Sequence, residues 1–164
     1  MNRIIRTISL LTFPLFILHC APNSEEKKAE LLQTNSPIFY PSHEPGRANK
    51  PFSDAVQVGN LYFLTGQIGL DHSTGNMVAG GIESETIQTL ENIKDVLKQH
   101  DLEMTDVVKA TVILDTIADF VAFNSIYESY FPQKPVRTTF AVESLARNAK
   151  IEIEVIAAKD QNMQ

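Results

Sequence analysis

Apolar residues recur along the chain with two different spacings, and each spacing predicts a type of secondary structure. Residues 54–58 and 61–65 are β-rich apolar runs joined by a Gly-Asn pair, which is typical of a hairpin. From 82 to 100 the apolar positions recur at steps of three and four, with Glu and Lys between them. This second spacing predicts an amphipathic helix after the hairpin.

The same two spacings continue in the C-terminal half. Residues 107–114 form a β-branched run, aromatic residues over 120–131 mark a second helix, and 137–142 and 151–157 predict two further strands. This order of elements favours an α+β fold, with one mixed sheet and two helices on one of its faces. Val, Ile and Phe on the other face need a covering partner, so we expect an oligomer.

The first residues have the layout of a bacterial secretory signal, with Arg3 and Arg6 before an apolar run over 8–18. The run is shorter than the roughly 20 apolar residues of a membrane-spanning helix. Cys20 follows it, and the arrangement resembles a bacterial lipoprotein signal. We expect a cleaved signal peptide over 1–19 and a lipidated Cys20 that anchors an exported protein, periplasmic or at the outer-membrane surface. Ordinary secretion and an uncleaved anchor are the alternatives.

Residues 20–49 combine Pro, Ser, Asn, Glu and Lys with short apolar islands at 31–32 and 38–40. This composition is typical of a linker. We therefore predict a flexible tether over 20–49 and a folded domain over 50–160. The length of 164 residues agrees with a single domain.

Charge and cysteine content exclude several functions. The formal net charge of −6 offers no general attraction to nucleic acid, so no nucleic-acid partner is expected. A single cysteine allows neither a disulfide framework nor a thiolate zinc cluster. His43, His72 and His100 have no second ligand at a metal spacing, and we expect no metal site. Motifs for a phosphate-binding loop or a serine nucleophile are also missing.

Strand alternation singles out one candidate site. In the strand over 137–142, a period of two places Arg137 and Thr139 on the same face. In the last strand the apolar residues are buried, and Glu152 and Glu154 share the opposite face. An arginine fork binds a carboxylate through two hydrogen bonds, and a nearby glutamate can deprotonate water. A solvent-exposed ion pair between Arg137 and a glutamate is the alternative.

Four segments together resemble the RidA (YjgF) family of enamine and imine deaminases. Their sequences are KPFSDA at 50–55, TGQIG at 65–69, PVRTT at 135–139 and KIEIE at 150–154. The resemblance implies a chorismate-mutase-like α+β fold and a homotrimer with its sheets inside and clefts between subunits. It also implies hydrolysis, without cofactor, of reactive imines of amino acids to a 2-oxo acid and ammonia.

The resemblance also assigns roles to individual residues. Arg137 matches the family's arginine that binds the substrate carboxylate, and Glu152 matches the glutamate that positions the attacking water. Thr65 stands in place of a serine whose hydroxyl faces the site, and it keeps the hydroxyl. Glu152 and Thr65 are thus the candidate catalytic residues.

Three further positions depart from the family pattern. Phe52 stands where many members have a substrate-contacting tyrosine, and Thr139 stands at a position that is often cysteine, where the backbone matters more than the side chain. Asp54 stands in place of a usual glutamine. We therefore expect Arg137, Thr139 and Phe52 to bind the substrate, with its identity left open.

Three functions fit these observations. The leading one is a hydrolase acting on small carboxylate-bearing imines of the 2-aminoacrylate class. The second is a binding module for small acids or amino acids, without turnover, on an exported lipoprotein. The third is an endoribonuclease or translation inhibitor, against which the acidic charge counts.

Overall fold

The computed structural model describes residues 36–44 and 46–160. Within these residues the elements are, in chain order, β1 (Ile38–Tyr40), β2 (Ala55–Val58), β3 (Leu61–Leu64), β4 (Gln67–Ile68), β5 (Leu70–Asp71), β6 (Asn76–Met77), α1 (Gly81–Lys98), β7 (Val107–Leu114), α2 (Phe120–Tyr130), β8 (Val136–Ala141) and β9 (Ile151–Ala158). The main sheet has the order β1-β2-β3-β9-β7-β8, and β4 also pairs with β9. Strands β7 and β8 are parallel, and the other pairs are antiparallel. The predicted α+β fold with a mixed sheet and two helices is confirmed.

The tether prediction is wrong at its C-terminal end. Strand β1 lies within residues 20–49, and it pairs with β2 through the register Tyr40↔Ala55. The Tyr40 ring also lies 4.4 Å from the ring of His100, at the end of α1. The apolar island at 38–40 is therefore the edge of the sheet, and the domain begins before residue 50.

The signal peptide over 1–19 and the lipidation of Cys20 lie outside the described residues, and both stay predictions. Among the described residues, no helix is long and apolar enough to cross a membrane.

One face of the sheet and the two helices enclose the core. The alternate residues of β7 and β9 that point to the helices are almost fully buried: Ala110, Val112, Leu114, Ile151, Ile153 and Val155. They meet Leu90 and Ile93 of α1 and Phe123 of α2 in one apolar cluster. Each large side chain buried in this way contributes about 1.5–3 kcal/mol, which fixes the face that each strand residue occupies.

The other face of the sheet carries large apolar side chains that this chain does not cover. Phe39 is 66% exposed, Phe63 41%, Val136 69% and Phe140 43%. They lie on strands β1, β3 and β8, so this open face extends from one edge of the sheet to the other. An apolar surface of this extent is typical of a site for another protein surface.

The segment after β4 is held tightly against helix α1. The Asn92 side-chain amide donates to the backbone carbonyls of Ile68 (3.0 Å) and Leu70 (2.9 Å). A carboxylate oxygen of Glu85 accepts from the backbone N–H of Lys150 at 2.7 Å, at the start of β9. Gly69 makes this close approach possible, because a Cβ there would lie 2.7 Å from the Cα of Glu85.

Replacing Gly69 is expected to destabilise the domain. In Gly69→Ala the new methyl group meets the helix backbone, which cannot rotate away, so the free energy of unfolding should fall by about 1–3 kcal/mol. Gly46→Ala is the matched control, because no atom of the described residues lies within 4 Å of its Cβ position. Urea denaturation of the two variants measures the difference. Equal stability of the two variants would contradict this account of the contact between β4 and α1.

Candidate functional site

The registers of strands β8 and β9 decide where the candidate side chains point. Arg137 pairs with Ala110 of β7, and Glu152 pairs with Ile113 of the same strand. Ala110 is fully buried under the helices, and Ile113, an odd number of residues away, belongs to the open face. In a single chain, Arg137 and Glu152 therefore lie on opposite faces of the sheet. A cleft that contains both requires a second copy of the chain.

Side chains of helix α2 surround Arg137 on the helix side. Its Nη1 donates to Oδ1 of Asn124 at 2.8 Å. Its guanidinium carbon lies 4.7 Å from the ring centroid of Tyr127, 5.4 Å from that of Phe123 and 5.7 Å from that of Phe120. Each cation–π contact contributes on the order of 0.5–2 kcal/mol, so the helix fixes the guanidinium before a ligand arrives.

A cleft of about 720 Å³ opens beside Arg137, and its lining includes Asn124, Glu128 and Lys134. Thr139 lies two residues further along β8, on the same face as Arg137. Its buried hydroxyl has no hydrogen-bond partner among the described residues. Arg137 and Thr139 are thus neighbours, as predicted.

Glu152 occupies a confined position on the open face. Its backbone pairs with Ile68 of β4, and its carboxyl group fills the space that a side chain would take at Gly66. Burial raises the pKa of the Glu152 carboxyl, and the negative charge of Glu154 raises it further. A carboxylate with a raised pKa is a stronger base than an exposed glutamate, which is the property that proton abstraction from water requires.

Thr65 and Phe52 share a cleft of about 390 Å³ with the open-face residue Phe63. The backbone N–H of Thr65 donates to the carbonyl of Asp54 at 3.0 Å, which ties the end of β3 to the segment that carries Phe52. Thr65 directly precedes Gly66, and the Glu152 carboxyl lies against Gly66. The structure thus brings Phe52, Thr65 and Glu152 to one region, and it places Arg137 and Thr139 in another.

The residues that hold Arg137 were not predicted from the sequence. Phe120, Phe123, Asn124 and Tyr127 follow one another at steps of three, one and three, which places them on one side of α2. That spacing was visible in the sequence, but it did not indicate that the strand at 136–141 faces this side of the helix. Among the described residues, no group of three or more His, Cys, Asp or Glu side chains can hold a metal ion.

Comparison with known proteins identifies the family. Residues 42–159 match the family model described as endoribonuclease L-PSP. The chain is 44% identical over 108 residues to reactive intermediate deaminase A of Arabidopsis thaliana chloroplasts, covering 65% of this chain and 58% of that protein. The chain belongs to the RidA (YjgF) family. A human RidA-family relative, 2-iminobutanoate/2-iminopropanoate deaminase, is 42% identical over 108 residues, covering 65% of this chain and 79% of its own length.

Solved structures of RidA-family proteins have the same fold. A putative endoribonuclease from Thermotoga maritima has a TM-score of 0.70 at 41% identity, covering 75% of this chain and 98% of its own. TdcF of E. coli, solved with bound serine, has a TM-score of 0.65 at 29% identity and covers 74% and 94%. The resemblance expected from the four sequence segments is confirmed.

The pKa of Glu152 in this RidA domain can be tested without any substrate. We expect the Glu152 carboxyl to titrate above the ordinary value of 4.5. In Glu154→Gln the neighbouring negative charge is lost, so the pKa should fall towards 4.5 yet stay above it, since burial remains. Carbon-detected NMR titration of the side-chain carboxyls measures both values, with the exposed Glu83→Gln as control. A Glu152 that titrates at or below 4.5 would contradict the account.

Proposed function

We propose that the chain hydrolyses small carboxylate-bearing imines and enamines to 2-oxo acids and ammonia. The observation that carries the proposal is the position of the half-buried Glu152 carboxyl. It lies against Gly66, next to Thr65, and its pKa is raised. Relatives named as a reactive intermediate deaminase and as a 2-iminobutanoate/2-iminopropanoate deaminase support this reaction class. The bound serine in TdcF supports a ligand with the carboxylate and nitrogen of an amino acid.

In the proposed reaction, Arg137 binds the substrate carboxylate through its two-pronged fork and Asn124 keeps the fork oriented. Glu152 takes a proton from a water molecule as the water oxygen forms a bond to the C=N carbon. That proton passes to the imine nitrogen, which gives a carbinolamine with one hydroxyl and one amino group. The hydroxyl proton then passes through Glu152 to the amino nitrogen, the C–N bond breaks, and ammonia leaves as the C=O bond of the 2-oxo acid forms. The overall change is imine plus water to 2-oxo acid plus ammonia, which needs no electron donor or acceptor. Positioning supplies most of the catalysis.

Because Arg137 and Glu152 lie on opposite faces in one chain, we propose that the complete site forms between copies. The exposed apolar side chains of the open face, such as Phe63 and Phe140, support such a contact. A closed assembly avoids filament formation, and we propose a homotrimer.

The family model's description as an endoribonuclease raises the question of RNA as a substrate. Glu152 and Glu154 lie on the same face of β9, and both would repel a phosphate backbone. The net charge of −6 acts in the same direction. We therefore favour a small imine over RNA.

For location, we propose an exported lipoprotein attached to a membrane through Cys20. The basic residues and the apolar run that precede the cysteine support this proposal.

The assembly is tested by light scattering on residues 36–164. We expect about three subunit masses for the wild type, and dissociation in Phe63→Asp, because a carboxylate would be buried in an apolar contact. Ile87→Asp is the matched control, since Ile87 is 46% exposed on helix α1, away from the open face, and should leave the trimer intact. A monomeric wild type would remove the proposed shared cleft.

The reaction is tested by ammonia release from imines that an amino-acid oxidase generates in situ. Glu152→Gln keeps the shape but removes the base, so hydrolysis should fall by roughly 10²- to 10⁴-fold while calorimetry still detects 2-oxo acid binding. Arg137→Lys loses the fork and should weaken that binding. Glu83→Gln should match the wild type.

One outcome would replace the hydrolase with a binding module. If the wild type and Glu152→Gln both release ammonia at the uncatalysed rate and both bind the 2-oxo acid, the site binds without turnover.

A further inference from the structure

A buried ion pair lies behind the Phe52 and Thr65 side of the candidate site. The Asp54 side chain is only 3% exposed, and its Oδ1 lies 3.1 Å from Nη2 of Arg47. His43 is a second basic group near this carboxylate, with 3.6 Å between its Nδ1 and Oδ2. A carboxylate buried this deeply needs a cation, because an unpaired buried charge costs several kcal/mol. Arg47 provides such a cation for Asp54.

The same guanidinium contacts three further residues. Nη1 of Arg47 donates to Oε1 of Gln67 at 3.1 Å and to Nε2 of His72 at 3.3 Å. Its guanidinium carbon lies 5.6 Å from the ring centroid of Phe52. The other ring nitrogen of His72, Nδ1, contacts the carboxylate of Glu44. A neutral His72 that accepts from Arg47 at Nε2 carries its proton at Nδ1, so it donates to Glu44.

The residues around Arg47 make further contacts with Thr65 and with the surroundings of Glu152. Phe52 lines the cleft that contains Thr65. Gln67 directly follows Gly66, and the Glu152 carboxyl lies against Gly66. The backbone of Gln67 also pairs with that of Ile153, the residue after Glu152. The Asp54 carbonyl accepts the backbone N–H of Thr65. Arg47 therefore links the loop before β2 to strand β4, which directly follows Thr65 and Gly66.

From these contacts we propose that Arg47 is a positioning residue for the substrate-binding side of the site, and that Asp54 holds Arg47 in place. Arg47 acts through Phe52 and Gln67 and does not itself touch the substrate. This gives a role to Asp54, which stands where the family usually has glutamine. The proposal rests on the proposed function only in the assignment of Phe52 and Thr65 to the site.

The variant Arg47→Lys tests whether the positive charge of Arg47 is sufficient or whether its planar guanidinium group is also needed. Arg47→Lys keeps a cation for Asp54, so the domain should fold, but one ammonium group cannot replace the planar fork and its contact with the Phe52 ring. The double variant Arg47→Met, Asp54→Asn removes both charges and leaves neither one buried alone. The matched control is Glu91→Gln, Lys94→Met, which removes an exposed ion pair on α1.

We expect KM to rise about tenfold in Arg47→Lys, and more in the double variant, with a smaller fall in kcat, because the displaced segment also carries Thr65 and the glycine that the Glu152 carboxyl contacts. The dissociation constant of a 2-oxo acid should rise in parallel with KM. Amide hydrogen exchange over residues 65–68 should become about tenfold faster while that of β7 is unchanged. The control should match the wild type in all three measurements.

Unchanged KM, binding and exchange over 65–68 in Arg47→Lys would overturn the proposal, as would a loss of kcat at constant KM. Failure of the proposed function would give a different set of results from failure of the Arg47 proposal. A wild type without turnover ends the hydrolase proposal, whereas 2-oxo acid binding and amide exchange still report on Arg47. If neither variant changes the exchange over 65–68, Arg47 does not position this segment, whatever the activity.

Discussion

The alternation of buried and outward residues in strand β9 determines the rest of the structure. Ile151, Ile153 and Val155 are buried against the helices, and this burial fixes the register against β3, β4 and β7. A slip by one residue would place the two glutamates of β9 in the apolar core. The free energy gained by burying these apolar residues therefore keeps Glu152 on the open face.

Periodicity was sufficient to predict most of the fold. The runs at 107–114 and 151–157 are long and strongly patterned, and they correspond closely to β7 and β9. The short strands were missed for a physical reason. The three residues of β1 and the two of β4 form no recognisable period, and they are strands only because a neighbouring strand supplies their hydrogen bonds.

The candidate residues could be chosen from the sequence, but their arrangement in space could not be predicted from it. Strand alternation correctly placed Arg137 and Thr139 on one face, but it cannot relate the faces of two strands whose pairing is unknown. The parallel register of β8 with β7 places Arg137 towards α2, on the other face from Glu152. Likewise, Arg47 and Asp54 are seven positions apart in a loop, where no periodicity predicts an ion pair.

The contact between Gly66 and Glu152 links two positions that are far apart in the chain. The carboxyl group of Glu152 fills the volume that a side chain at position 66 would need, so both cannot occupy this space. The glutamate can rotate away, and the fold therefore tolerates a larger residue at 66, whereas the site does not. Among descendants of this sequence, a change of that glycine would mark the loss of the proposed chemistry while the protein continued to fold.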